Sequence, residues 1–187
     1  MQWHRAVSIV SAASLGTASR LEASCSVARI ARPMSPAMRA RQLHDIEGKR
    51  TFAVVLSVGD EAMACLKRFA ASYNIGGAQI TAIGALSAAE LAFFDWETKK
   101  YLPINIDEQV EVASLIGDIA RDPDGAAAVH VHAVLSDRTG AARAGHLTKG
   151  YVRPTLEVIV TETPIHLQKT HDPESGLALI ELAQSAS

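Results

Sequence analysis

The apolar positions of this chain fall into a series of short β-rich runs and one amphipathic segment. Arg50–Gly59, "RTFAVVLSVG", is a β-branched apolar run closed by glycine and predicts a strand. In "DEAMACLKRFAASYNI", Met63, Leu66, Ala70 and Tyr73 recur at spacings of three and four. That period predicts an amphipathic helix, with Asp60 as its cap and Glu61 in its first turn. "NIGG", Asn74–Gly77, ends it, because Asn and Gly tolerate the left-handed conformation of a helix terminus. "AQITAIGAL" and "AAELAFFDWETKKYLPI" predict further strands, with a turn at Asp95–Lys100. Glu108–Ala120 predicts a strand broken by Gly117, and Asp122–Gly125 predicts a turn. "AAVHVHAVLS" and "ARAGHLTKGYV" predict a hairpin, and Pro154–Thr163 a last strand. The run "HDPESGLALIEL" ends in a short apolar stretch suited to packing on the domain. One helix, many strands and hairpin-scale connections predict an α+β domain with a largely antiparallel sheet.

Charge divides the chain in two. Residues 1–42 hold six arginines and one acid, Glu22, whereas the remainder holds 12 basic and 19 acidic residues. An acidic folded part is not what a dedicated phosphate-backbone binder presents. The first segment, rich in Ala, Ser and Arg, reads as a disordered tail or as an upstream start with initiation at Met34 or Met38. Arg5 followed by "AVSIVSAASLG" weakly resembles an export signal, but Ser and Gly dilute its apolar stretch. The expected division is therefore a tail over 1–42 and one domain over 43–182. No apolar run is long enough to span a bilayer. Cys65 falls within the helical pattern and is expected as a buried free thiol; Cys25 makes no CxxC pair with it. This usage suits a reducing compartment, and the cytoplasm is the expected location.

Three of the seven histidines lie in "AVHVHAVLSDRTGAARAGHLTKG". On a strand, His130 and His132 share a face, while Val129, Val131 and Ala133 face the other way. In the turn "DRTG", Asp137 suits the first position and Gly140 a left-handed one. A three-residue loop, Arg138–Gly140, then sets Asp137 opposite Ala141 and His132 opposite His146. A four-residue loop would set His146 on the wrong face. Three neutral imidazoles on one patch are a standard ligand set for zinc with a fourth position open, and they could equally hold nickel, copper or iron. Such an open metal could activate a bound water for hydrolysis. The residues alone leave two other readings open: a solvent-facing pair with an accidental third member, or histidines packed at a subunit interface.

Taken in order, "GDEAMACLKRFA", "ITAIGAL", "FFDWETKKY", "EQVEVASLIGDIA", "VHVHAVLSD", "AGHL" and "RPTLEVIVTE" resemble the plants-and-prokaryotes-conserved (PPC) domain in its stand-alone bacterial form, over roughly residues 41 to 182. The resemblance implies an α+β fold, a mainly antiparallel sheet with one main helix packed on it, assembled as a homotrimer. It implies a divalent metal, zinc, at His130, His132 and His146, the positions that match the family's histidine cluster. The function it implies is a homotrimeric, metal-binding regulatory or DNA-associated module, with DNA or a protein as partner and no membrane. The alternative is a metal-dependent enzyme of unknown substrate using the three histidines. Plant members carry an AT-hook, a Gly-Arg-Pro segment; here the nearest run, "ARIARPMSP", has Ala31 before Arg32–Pro33, so direct DNA contact is not expected.

Catalytic residues are not identifiable from spacing. Glu111 alternates with Val110 and Val112 and is expected exposed. Glu157, in "TLEVIV", is either exposed or a partner of the site, as an acceptor for an imidazole N–H or a general base. Gly84, Gly117, Gly145 and Gly150 read as backbone devices, Asp95 and Trp96 as turn residues, and His166 and His171 as surface residues.

Overall fold

A computed structural model describes residues 38–163 and 165–182; the expectations for residues 1–37, including Cys25, lie outside the described residues. Nine strands and one helix follow in the order β1 (Arg39–Ile46), β2 (Lys49–Ser57), α1 (Ala62–Ser72), β3 (Gly77–Asp95), β4 (Lys100–Ile106), β5 (Val110–Arg121), β6 (Ala127–Ser136), β7 (Ala142–Glu162), β8 (Gln168–His171) and β9 (Ala178–Glu181). All pairings are antiparallel except a single parallel contact of β8 with β5. The fold is a mostly antiparallel sheet with one short helix among the described residues, as the alternation predicts. β3 and β7 run side by side for most of their length, and β5 and β6 join their far edges. The ladders β3–β5, β5–β6, β6–β7 and β7–β3 thereby form a closed circuit.

Several elements differ from expectation. The segments predicted as separate strands on either side of Ser87 form one strand, β3, and those on either side of Arg153 form one strand, β7. Register shifts near Gly84 and Leu86 absorb the local irregularity while pairing continues. Gly117 does not break β5: a Cβ there would lie 2.1 Å from the His130 carbonyl oxygen, so the glycine lets β5 and β6 approach closely. The helix is capped by Glu61 rather than Asp60. The Glu61 carboxylate accepts from the N–H groups of Met63 and Ala64, whereas Asp60 turns back to accept from the Ser57 N–H. β1 was not expected; it begins at Arg39, inside the segment read as a tail. The apolar stretch near the C-terminus forms β9, which pairs with β8 as a hairpin.

The core lies between α1 and one face of the curled sheet. Met63, Cys65, Leu66, Phe69 and Ala70 form the buried side of α1, and Val129, Val131, Ala133 and Leu135 of β6 point toward the same core. Cys65 is buried and free, as its place in the helical pattern predicts. Phe52 meets Phe69 edge-on at 5.3 Å and Tyr73 at 4.9 Å between ring centres. Each such buried side chain contributes about 1.5–3 kcal/mol relative to exposure. A bidentate pair closes the helix end of this cluster: Arg50 Nε and Nη2 donate to the two Glu162 oxygens at 2.6 and 2.8 Å, and Nη2 also donates to the Tyr73 carbonyl.

Candidate metal centre

Two loops of the same design build the site. "DPDGA" joins β5 to β6, and "DRTGA" joins β6 to β7. In each, the leading aspartate accepts hydrogen bonds from two backbone N–H groups of the loop: Asp122 from Asp124 and Ala126, Asp137 from Thr139 and Ala141. In each, the glycine takes a left-handed φ, +84° at Gly125 and +83° at Gly140, which closes a three-residue hairpin loop. The second loop sets Ser136 opposite Ala142 and His132 opposite His146, the register expected from "DRTG". The first sets Arg121 opposite Ala127 and therefore Asp118 opposite His130.

Across the strands, one row reads Ile159, Thr81, Ile116, His132 and His146, with partners facing the same side of the sheet. His130 lies beside this row with Asp118. The three imidazoles meet: ring centres are 5.1 Å apart for His130–His132, 5.0 Å for His130–His146 and 5.5 Å for His132–His146. Their potential ligand atoms all lie within 4.8 Å of one another. For a tetrahedral metal bound at about 2.05 Å, ring centres stand roughly 3.2 Å from the ion and about 5.2 Å from one another. The observed triangle has that size. A second observation points the same way: His146 Nδ1 is buried and has no hydrogen-bond partner. A buried imidazole nitrogen left unpaired is costly, and a metal ion removes that cost. The three residues could therefore hold a metal ion and leave one coordination position for water or a ligand.

Burial and neighbouring groups disfavour protonation of His132 and His146. Burial, then the neighbouring rings of His130 and His132, push His146 down to about 4. Burial and His130 also lower His132. Both rings are thus held in the neutral form that ligates metals. Asp118 Oδ2 lies 3.4 Å from His130 Nδ1. A proton on that nitrogen, shared with the carboxylate, would leave His130 Nε2 free to hold a metal. Burial opposes ionisation of Asp118, but His130 and the Lys169 ammonium outweigh it and hold the carboxyl below its usual range. Lys169, itself buried, stands 3.4 Å from Asp118 Oδ1.

Glu157 and Glu111 are not partners of the cluster. Glu157 is exposed beside Ile83 and Ile159, and Glu111 is exposed near the "DRTG" loop. His166 and His171 are exposed, as expected. Asp118 takes the place considered for Glu157. Its signal was present in the sequence, since counting back from "DPDG" as from "DRTG" places it opposite His130. Tyr101, whose ring centre is 5.0 Å from that of His146, and Lys169 carried no such signal.

Comparison with known proteins identifies the family and the fold. The profile of the Plants and Prokaryotes Conserved (PCC) domain matches residues 44–164. Among solved structures, a plant- and prokaryote-conserved (PPC) protein from Pyrococcus horikoshii is 30% identical with a TM-score of 0.67, covering 72% of this chain and 93% of that one. A candidate DNA-binding protein from Ralstonia eutropha JMP134 is also 30% identical, with a TM-score of 0.66 and coverage of 71% and 91%. A protein from Archaeoglobus fulgidus named as metal-containing is 28% identical, with a TM-score of 0.65 and coverage of 71% and 93%. Comparison with curated proteins finds no match. With the family profile spanning most of β1 to β7 and the fold shared along nearly the whole length of these relatives, the chain belongs to the Plants and Prokaryotes Conserved domain family.

Proposed function

We propose that the protein is a homotrimeric module that binds one divalent metal, zinc, through His130, His132 and His146, and that serves in the cytoplasm as a regulatory or DNA-associated assembly. The observation that carries the metal reading is the imidazole triangle around a buried, unpartnered His146 Nδ1. Three imidazoles with an open position suit zinc. The trimer is supported by the open face of the sheet, where Ile83, Ile116 and Ile159 are 62%, 57% and 41% exposed on neighbouring strands. Clustered apolar side chains on a sheet face favour association. The Ralstonia relative supports an association with DNA. The excess of acids from residue 43 onward favours contact through the assembly or a partner over direct phosphate binding.

Sedimentation tests the assembly. The expected result is a mass of three chains for the wild type and of one chain for Ile83→Asp, with metal content unchanged. A monomeric wild type would remove the trimer. A cavity beside the histidines supports the second reading, a metal-dependent enzyme acting on a small molecule.

A further inference from the structure

The β8–β9 hairpin lies beyond the stretch matched by the family profile, which ends at residue 164. It is nevertheless fastened to the domain. The Leu167 N–H donates to the Gly76 carbonyl at 2.9 Å, and the Arg121 N–H donates to the Leu167 carbonyl at 2.7 Å. Gln168 Nε2 donates to the Asp122 carbonyl at 3.1 Å. These bonds place the start of β8 beside Arg121, at the end of β5 nearest Asp118.

The hairpin encloses one side of the histidine cluster. A cavity of about 350 Å³ is lined by His130, His146, Asp118 and Lys169. Leu177, Leu179 and Ile180 of the hairpin, with Tyr101, supply much of the remaining wall. Ile116 and Ile159 share the cross-strand row of His132 and His146, but neither they nor Ile83 line this cavity.

Charge decides what fits. Lys169 is only 6% exposed, and the oppositely charged group beside it is Asp118, whose second oxygen faces His130. One carboxylate charge therefore serves both the ammonium and the imidazole. With three neutral histidines, a divalent ion would leave the site with two uncompensated positive charges in a half-enclosed, largely apolar space. Such a charge is costly unless an anion accompanies it. The apolar hairpin wall then selects among anions, since a hydrated inorganic ion gains nothing from leucine and isoleucine side chains.

We propose that the β8–β9 hairpin makes the metal centre a binding pocket for a small carboxylate bearing an apolar group, with the carboxylate held between the open metal position and Lys169 and the apolar group against Leu177, Leu179 and Ile180. This rests on the metal reading above and adds the ligand class to it. Lys169 fixes the anionic end, and the hairpin sets the size and polarity of the other.

The test uses the full-length protein loaded with cobalt(II), whose visible spectrum reports its coordination, titrated with butyrate and separately with inorganic phosphate. Butyrate is expected to change the spectrum saturably and phosphate to compete weakly. Lys169→Met and Leu179→Asp are each expected to weaken butyrate binding about tenfold or more, roughly 1.4 kcal/mol, while keeping one metal per chain; Lys169→Arg should retain binding. Leu179 is substantially exposed, so its variant remains informative if Lys169→Met fails to fold. One metal per chain with no response to butyrate overturns the pocket and leaves the metal centre standing. Phosphate binding as tightly as butyrate, or both variants titrating like the wild type, also overturns the pocket. A wild-type chain that takes up no cobalt overturns the metal reading and the pocket with it.

Discussion

The two faces of one sheet differ more than their shared strands suggest. On β6, Val129, Val131, Ala133 and Leu135 are buried toward α1, while His130, His132 and Val134 alternate with them on the other side. The covered face is complete: it is apolar, and its aromatic cluster is closed by the Arg50–Glu162 pair. The open face carries exposed isoleucines, a buried imidazole nitrogen with no partner, and a buried lysine sharing one carboxylate with a histidine. A strand's period of two sends alternate residues to opposite faces, so the same backbone supplies both. Groups that serve only packing are satisfied within the chain. The groups left unsatisfied lie on the open face, where the proposal assigns them to a metal, a ligand or another copy.

Substitutions should separate the faces. Phe69→Ala empties a fully buried position under α1 and is expected to cost about 3–5 kcal/mol in urea unfolding. An equally large loss from Ile83→Asp in the isolated chain would break the distinction, because that residue is expected to act through assembly. Asp118→Asn should leave the fold intact and weaken metal affinity about 10–100-fold, measured by competition with a chelator, because His130 loses the carboxylate that holds its Nδ1 proton. The smallest effect concerns pH in the metal-free protein. His146 has a folded-state value of about 4 against 6.5 for a free imidazole. Between those values the unfolded chain binds the extra proton, so this contribution is complete above pH 6.5 and is lost as the pH falls toward 4. The urea midpoint of wild-type apoprotein should decline through that window, and His146→Gln should flatten the decline.

The histidine register was more legible in the sequence than the fold around it. Turn chemistry carried the histidine register, because Asp137 and Gly140 specify a three-residue loop and a strand's period does the rest. The same count from Asp122 and Gly125 reaches Asp118, which local reading of "GDIA" passes over. Gly117 looked like a break because a glycine between apolar residues carries no sign of whether it ends a strand or admits a neighbour; only the approach of β6 decides. β1 has two apolar residues, Ala40 and Leu43, among polar ones from Arg39 to Asp45, and its strand form comes from pairing with β2. Lys169 is legible only in three dimensions, since its partner is 51 positions away and reaches it across the parallel contact of β8 with β5.

The central claim is that the unsatisfied histidines of the open face belong to a metal. Its most direct test is the metal content per chain of untagged protein purified without chelator, beside His132→Ala prepared identically. The account predicts one divalent metal, zinc, per wild-type chain and none in the variant, with both proteins folded. A folded wild type without stoichiometric metal, or equal metal in both proteins, would contradict it.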